Sequence, residues 1–318
     1  MLPGYMAYWK KTGWRNFGSL PLADFYWGWK LFRASRQFDA VFTTSERASR
    51  IFALLQLTRP RRVPHIQMEF FLEFPRSRRL RALKLALFRL EQRSVTKIVL
   101  FSSAQTERYR KVLGFAADKF VAIPFHTTIH AAGDEVIEPG NGDYIFAGGN
   151  TGRDYNTLVK AARKVPARFL IATNDRAQFE KMGGAPPNVD IVTAEPKTFL
   201  RLMARSAMVV VPLQKELLRS CGHQTYLNAM AFGKAVVAAD NCGADEYIEQ
   251  GSSGMVVAPG DAVQLADSLN SLMSDPARRE RMGHAARARA EQFSAELFFR
   301  RVLDLIPDKD RGGAARIR

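Results

Sequence analysis

Cysteine is nearly absent from this chain: Cys221 and Cys242 are the two thiols in 318 residues. Two cysteines build no disulfide framework, and without a Cys/His cluster they compose no metal motif. A reducing cytoplasm is the expected compartment, and both thiols read as small packing residues. Long apolar runs are missing too, since none reaches the roughly 18–20 residues of a membrane span. The opening MLPGYMAYWKKTGWRN has no apolar core and is not read as a signal peptide. Acids are the third shortage. The chain carries 31 Asp and Glu against 47 Lys and Arg, a formal net charge of +16. That deficit is lopsided: residues 1–136 hold 23 basic against 10 acidic side chains, and residues 137–318 hold 24 against 21. A basic first half suits an anionic membrane, a nucleic acid or a phosphorylated substrate. No nucleic-acid motif accompanies the charge, so nucleic acid is not an expected partner.

The apolar content, 47%, is enough for real cores, and the length predicts two domains. All four tryptophans fall in residues 1–36, among Tyr5, Tyr8, Phe17, Phe25 and Tyr26 and six lysines or arginines. Two readings fit that stretch: an aromatic and basic belt at a lipid headgroup layer, or an amphipathic helix over Leu22–Arg36 that packs its aromatics on a sheet. Strands are expected at Phe38–Thr44, Val63–Glu69, Lys97–Phe101 and Lys119–Pro124, with helices at 45–57, 78–93 and 102–113. On a wheel of the 78–93 helix, Leu80, Leu83, Leu87 and Leu90 form one stripe, the expected core face. Arg78, Arg81, Lys84, Arg89 and Arg93 lie opposite with Leu85 and Phe88 among them. That second face reads either as membrane-binding or as solvated and basic with two stray apolar residues.

Residues 127–142 are polar and turn-rich, the expected linker. Beyond them, strands at Asp143–Ala147, Ala167–Thr173, Val189–Val192, Met208–Pro212, Lys234–Ala239 and Met255–Ala258 alternate with helices. This rhythm predicts a doubly wound parallel sheet. Helices are expected at 155–165, 198–206, 224–232, 261–274, 276–292 and 295–306. Two loops at strand ends look chemical. Gly148-Gly149-Asn150-Thr151-Gly152-Arg153 precedes a helix, so glycines, one cation and a helix N-terminus would together cradle a diphosphate. The alternative is a surface Arg153 paired with Asp154. Ser220-Cys221-Gly222-His223 leads into a helix that ends at Gly233, and the apolar strand KAVVAA follows.

The stretch LNAMAFGKAVVAADNCGADEYIEQGSSGMVVAPGD, residues 227–261, resembles the donor-binding half of GT-B glycosyltransferases, most closely family 4, the glycosyl transferases group 1. Its Ala-Met-Ala-x-Gly, Gly-x-x-Glu-x-Ile and Pro-Gly-Asp pieces stand in the family's order and spacing. The resemblance implies an α/β, GT-B-like fold: two Rossmann-like domains facing across a cleft, with a short N-terminal domain. The corresponding boundaries are 1–130 for the acceptor side, 131–295 for the nucleotide-sugar donor domain, and 296–318 for a helix returning to the first domain plus a loose tail. The family's usual first strand and Gly-rich loop are not recognisable before Phe38.

The resemblance also implies roles. The motif carboxylate that holds the nucleotide ribose falls on Asn228, the one that contacts the donor sugar falls on Ser220, and the motif proline is Ala235. Of the family's two diphosphate cations, the Lys position is Arg153 and the Arg position is Gly148. The expected donor-binding set is Gly148, Gly149, Arg153, Asn174 (bordering the base), Ser220, Gly222, His223, Gln224, Thr225, Asn228 and Glu246. The catalytic candidates are Arg153, His223 and, at a strand end in the first domain, Glu69, ahead of His65 and His126. The implied activity is retaining hexosyl transfer, without metal or cofactor, from a nucleoside-diphosphate sugar to a glycan or lipid-linked acceptor. The expected setting is cell-envelope or exopolysaccharide synthesis, with the protein peripheral on the inner face of the membrane. The replaced carboxylates leave a second reading, a catalytically impaired glycosyltransferase-like partner in a membrane glycan assembly.

Overall fold

Short β-branched and aliphatic runs become parallel strands, and the amphipathic segments between them become the covering helices. The computed structural model describes residues 20–44, 47–68, 77–129, 137–215 and 220–307. Trp9, Trp14, part of the expected linker and the tail after 307 lie outside them. The chain divides into two compact units: Met1–Leu100, Thr106–Ala122 and Arg301–Arg318 in one, Phe101–Gln105 and Ile123–Arg300 in the other.

The first unit holds a four-stranded parallel sheet, β1 (Val41–Thr43), β2 (His65–Met68), β3 (Lys97–Leu100) and β4 (Phe120–Ala122), in that spatial order. Helices α1 (Leu20–Ala34), α2 (Arg47–Gln56), α3 (Arg78–Glu91) and α4 (Ser103–Leu113) accompany it, the first turn of α4 being counted with the second unit. Helix α1 packs mainly on α2. Gly28 lies at that crossing, where a Cβ would come within 2.6 Å of Ile51 Cγ2. The aromatics Phe25, Tyr26 and Trp29 stay exposed.

The orientation of α3 corrects the wheel reading. Leu80, Leu83, Leu87 and Leu90 are 57, 58, 39 and 38% exposed, whereas Phe88 is 3% exposed. The inward face is made by Phe88 and Glu91, and Arg50 of α2 joins both: its Nη2 lies 2.7 Å from Glu91 Oε1, and its guanidinium stands 4.8 Å from the centre of the Phe88 ring. One large aromatic ring and a buried carboxylate paired with a half-buried arginine thus decide the face that four leucines were expected to decide.

The second unit holds six parallel strands: β5 (Tyr144–Gly148), β6 (Arg168–Ala172), β7 (Val189–Val192), β8 (Met208–Val211), β9 (Val236–Ala239) and β10 (Met255–Val257). Their spatial order is β10-β9-β8-β5-β6-β7. Helices α5 (Tyr155–Ala162), α6 (Ala177–Lys181), α7 (Pro196–Ala204), α8 (His223–Ala231), α9 (Ala262–Met273) and α10 (Pro276–Ala290) flank the sheet. The final helix, α11 (Ala295–Leu303), spans the division between the units at Arg300/Arg301. Strands β8 and β9 are buried along their whole length, as the uninterrupted apolar runs require. Phe146, Phe169, Val209, Met230, Val236 and Leu269 form the centre of one continuous core.

Candidate functional site

The sheet order of the second unit reverses direction between β5 and β8. In doubly wound sheets that switch point opens a crevice at the strands' carboxyl ends, where ligands bind. The two loops singled out from sequence leave the sheet at this point. The glycine loop is joined there to the segment that follows β8 by an antiparallel bridge between Arg153 and Leu213, with Asp154 N–H donating to Pro212 O and Gln214 N–H to Gly152 O, each at 3.0 Å.

Arg153 is buried beneath its loop. Its Nε donates to Gly148 O at 2.8 Å, Nη1 to Thr151 O at 3.0 Å and Nη2 to Thr225 Oγ1 at 2.7 Å. Gly149 has to be glycine: its φ is 111°, and a Cβ would fall 2.6 Å from Arg153 Nη2. The surface pair with Asp154 is not formed. Asp154 instead caps α5, accepting from Thr157 N–H and Oγ1. Among the described residues, no carboxylate forms an ion pair with Arg153. Burial lowers its pKa, while three neutral oxygens hold the guanidinium in place. An uncompensated interior cation of this kind is costly unless an anion completes it.

Helix α8 begins beside it. Its N-cap is Gly222 at φ 85°, with no side-chain cap, and a Cβ there would stand 2.9 Å from Val211 Cγ1. Thr225 N–H turns back to Gly222 O at 2.8 Å. The first amides of the helix, those of His223 and Gln224, have no intrahelical acceptor and face outward along the axis. Such an end attracts an anion. The expected amide of Gly149, in contrast, is already donated to Ala172 O at 3.0 Å. The Gly149 amide is therefore not free to face an anion, whereas the first amides of α8 are.

His223, the first residue of α8, lies edge-on to Phe101 and Phe125 at 5.0 and 4.9 Å between ring centres. Its Nδ1 is buried without a hydrogen-bond partner. Burial, reinforced by the positive charge of Arg153, lowers its pKa to about 3. The ring is neutral at physiological pH and can offer a donor or an acceptor, but not a charge.

Ser220 and Asn228, where the resemblance leads to the expectation of replaced carboxylates, are occupied internally. Ser220 Oγ donates to Cys242 O at 2.6 Å and lies 2.7 Å from Ser102 Oγ. Both atoms of the Asn228 amide engage Thr128: Oδ1 accepts from its N–H at 2.7 Å and Nδ2 donates to its Oγ1 at 2.9 Å. Gln224 Nε2 reaches the same hydroxyl at 3.0 Å. The Glu246 carboxylate accepts from Ser103 N–H and Oγ and from Ala104 N–H, capping the turn that starts at Ser103. Asn174 is exposed, its N–H fixed by Asn150 Oδ1 at 2.9 Å, and Thr173 Oγ1 donates to the same oxygen.

Glu69 lies outside the described residues. His65 is a core residue of the first unit, 2.8 Å from Thr43 Oγ1, with its pKa lowered to about 3 by burial. His126 is half-buried, stacked on Phe125 with ring centres 4.7 Å apart. Four residues that organise the region were not among the site candidates read from the sequence: Ser102, Thr128, Asn150 and Tyr155, whose hydroxyl donates to Gly149 O at 2.6 Å. Asn150 lies inside the Gly-rich loop, which was its one available signal. Thr128 sits in the expected linker and carried none. Among the described residues, no three His, Cys, Asp or Glu side chains converge as a metal-binding group.

Residues 153–289 match the family model described as glycosyl transferases group 1. Alpha-maltose-1-phosphate synthase of Mycobacterium tuberculosis is 40% identical over 86 residues, which is 25% of this chain and 22% of that protein. A GDP-mannose-dependent monoacylated alpha-(1-6)-phosphatidylinositol monomannoside mannosyltransferase of Corynebacterium glutamicum is 36% identical over 87 residues, 27% of this chain and 23% of that one. The matched segment thus spans less than a quarter of these relatives. Over most of its length the chain also superposes on Anabaena HepE in complex with UDP and glucose, with a TM-score of 0.68, 17% identity, and coverage of 87% of this chain and 80% of that one. That likeness is one of architecture, the GT-B fold.

Proposed function

Because residues 153–289 belong to the group 1 glycosyltransferases, we propose that this protein transfers a hexosyl group from a nucleoside-diphosphate sugar. The observation that carries the reading is the buried guanidinium of Arg153, with no carboxylate pairing it among the described residues, beside the uncapped start of α8 at the switch point of the sheet. A diphosphate supplies the missing counter-charge. As the bond from the sugar to the diphosphate breaks, negative charge grows on the leaving oxygen. The His223 and Gln224 amides and Arg153 stabilise it without reorganising. His223, being neutral, hydrogen-bonds the sugar or a phosphate oxygen. Asn174 and Asn150 border the base. In this reading the chain's own groups carry the leaving-group charge, no metal ion is invoked, and the anomeric configuration is retained.

The acceptor is a glycan or lipid-linked molecule held at a membrane, and the protein works peripherally on the cytoplasmic face in envelope or exopolysaccharide synthesis. Two facts support this half. The basic side chains concentrate in residues 1–136, and one similar protein is named for a phosphatidylinositol mannoside acceptor. Among the described residues, no helix is long and apolar enough to cross a bilayer. Titration calorimetry with UDP, GDP and ADP tests the donor half: one nucleotide should bind, and its sugar should then be transferred or slowly hydrolysed. Failure of all three to bind would refute it. The neutral Ser220 and Asn228 favour one alternative, a binding partner without turnover. It is distinguished by nucleotide affinity with no release of nucleoside diphosphate from any donor sugar.

A further inference from the structure

We infer that the outward leucine stripe of α3 is the surface by which the protein docks on an anionic phospholipid bilayer. The inference rests on the membrane-held acceptor proposed above and names the face that meets the lipid.

Leu80, Leu83, Leu87 and Leu90 recur at helical spacing along α3 and are 57, 58, 39 and 38% exposed. Leucines repeated on one face of a soluble protein's helix normally turn inward. Here the inward position is taken by Phe88 and by the Glu91–Arg50 pair, so the stripe faces solvent. Ala82 and Ala86 are exposed as well and add no polar group to the helix surface.

The charges around the stripe select the occupant. Arg78, Arg79, Arg89 and Arg93 are exposed on the same helix or its immediate end. The one acid of α3, Glu91, is buried and paired with Arg50 at 2.7 Å. The outer surface of the helix therefore carries apolar and cationic groups and no anion. A second copy docking through this face would set arginines against arginines. An anionic headgroup layer satisfies both chemistries at once, with leucines entering the acyl boundary and guanidinium groups meeting phosphates.

The test is co-sedimentation of the full chain with phosphatidylcholine vesicles, with and without phosphatidylglycerol. Binding should require the anionic lipid and weaken with added salt. The double variant Leu83→Asp/Leu87→Asp should weaken it about tenfold or more, because both the apolar insertion and the charge match are lost. Arg79→Glu/Arg93→Glu should abolish the preference for anionic lipid. Melting temperature and nucleotide affinity should be unchanged in both. Vesicle binding that survives the leucine variant overturns this assignment and leaves the membrane-held acceptor standing. No vesicle binding by the wild type, with nucleotide binding intact, overturns both. A lower melting temperature in the leucine variant would mean that the chain itself covers the stripe, and a dimer that dissociates in that variant would mean that a second copy does. Either result overturns the proposal.

Discussion

Replacing Arg153 separates its two roles. The guanidinium holds Gly148 O, Thr151 O and Thr225 Oγ1 together, and it is also the buried cation proposed to meet the donor diphosphate. Arg153→Met keeps most of the volume and removes the charge. Orphaning the three acceptors costs about 3–9 kcal/mol together, at about 1–3 kcal/mol each, but removing a desolvated cation that has no ion-pair partner among the described residues recovers several kcal/mol of that. The free protein should therefore melt within a few degrees of wild type. Nucleotide binding should respond differently. One charge-assisted bond to phosphate is worth about 1.5–3 kcal/mol, so the dissociation constant for the preferred nucleoside diphosphate should rise roughly 10- to 150-fold. Arg153→Lys supplies the charge without the planar fork. It should recover part of the affinity while melting lower than wild type, because one ammonium cannot satisfy three acceptors fanned around a guanidinium. Calorimetry and thermal melts on the same samples give both quantities. If the methionine variant is folded and binds nucleotide as tightly as wild type, Arg153 is purely a structural clamp and the diphosphate lies elsewhere.

Acid should destabilise the protein before its carboxylates titrate. His65 and His223 both have folded pKa values near 3 against 6.5 when unfolded, so each stays neutral in the fold while the unfolded chain takes up a proton. Stability is thus full above about pH 6.5 and falls as pH drops, by about 2 kcal/mol for each histidine between pH 7 and pH 5. Urea melts should show this slope, and His65→Gln should roughly halve it; a flat profile over that range would refute the burial assigned to both rings. Gly222→Ala places a Cβ 2.9 Å from Val211 Cγ1 at φ 85°, so it should destabilise by about 1–2 kcal/mol or more and weaken nucleotide binding with it. A fully stable variant would show that the α8 entry is not held as described. Asn228→Glu loses the donor to Thr128 Oγ1 and buries a carboxylate, so a loss of about 1–3 kcal/mol is expected in denaturant melts. An unchanged midpoint would mean that the Thr128 contact carries no stability.

Most of the architecture was legible because each signal was local. The apolar runs KAVVAA and MVVV are buried strands, and the breaks at Gly233 and Pro276 fall at helix boundaries. What failed to read depended on partners distant in sequence. The wheel of α3 fixed the axis of its amphipathicity but not its sense. The sense came from Arg50, 41 residues away, pairing with Glu91. Arg153 was found as a loop cation, but its burial follows from Thr225, 72 residues on. Asn228 was placed by its motif, and its partner Thr128 stands 100 residues earlier in a stretch that reads as featureless linker. Short helix α6 was missed because five residues carry too little periodicity to register.

The neutral residues at 220 and 228 are integrated into their surroundings, and this bears on whether the site works. Ser220 and Ser102 converge on one carbonyl, that of Cys242, and on each other. Three oxygens share two protons there, so a carboxylate at position 220 would compete with Cys242 O for the one proton left, that of Ser102. The Asn228 amide uses its acceptor on the Thr128 amide and its donor on the Thr128 hydroxyl, so both of its polar atoms are engaged within the protein. Each position thus belongs to a satisfied buried network, and an acid there would rearrange that network before it could serve a donor. The glycosyltransferase reading consequently leans on groups that are not satisfied internally: Arg153 without a described ion-pair partner, the first amides of α8, and the unpartnered Nδ1 of His223. These three converge on one end of one helix. If the protein turns over a donor, the ribose should contribute less to affinity than the diphosphate, and a nucleoside monophosphate should bind far more weakly than the corresponding diphosphate. Equal affinity for the two would break the link between the buried cation and the donor.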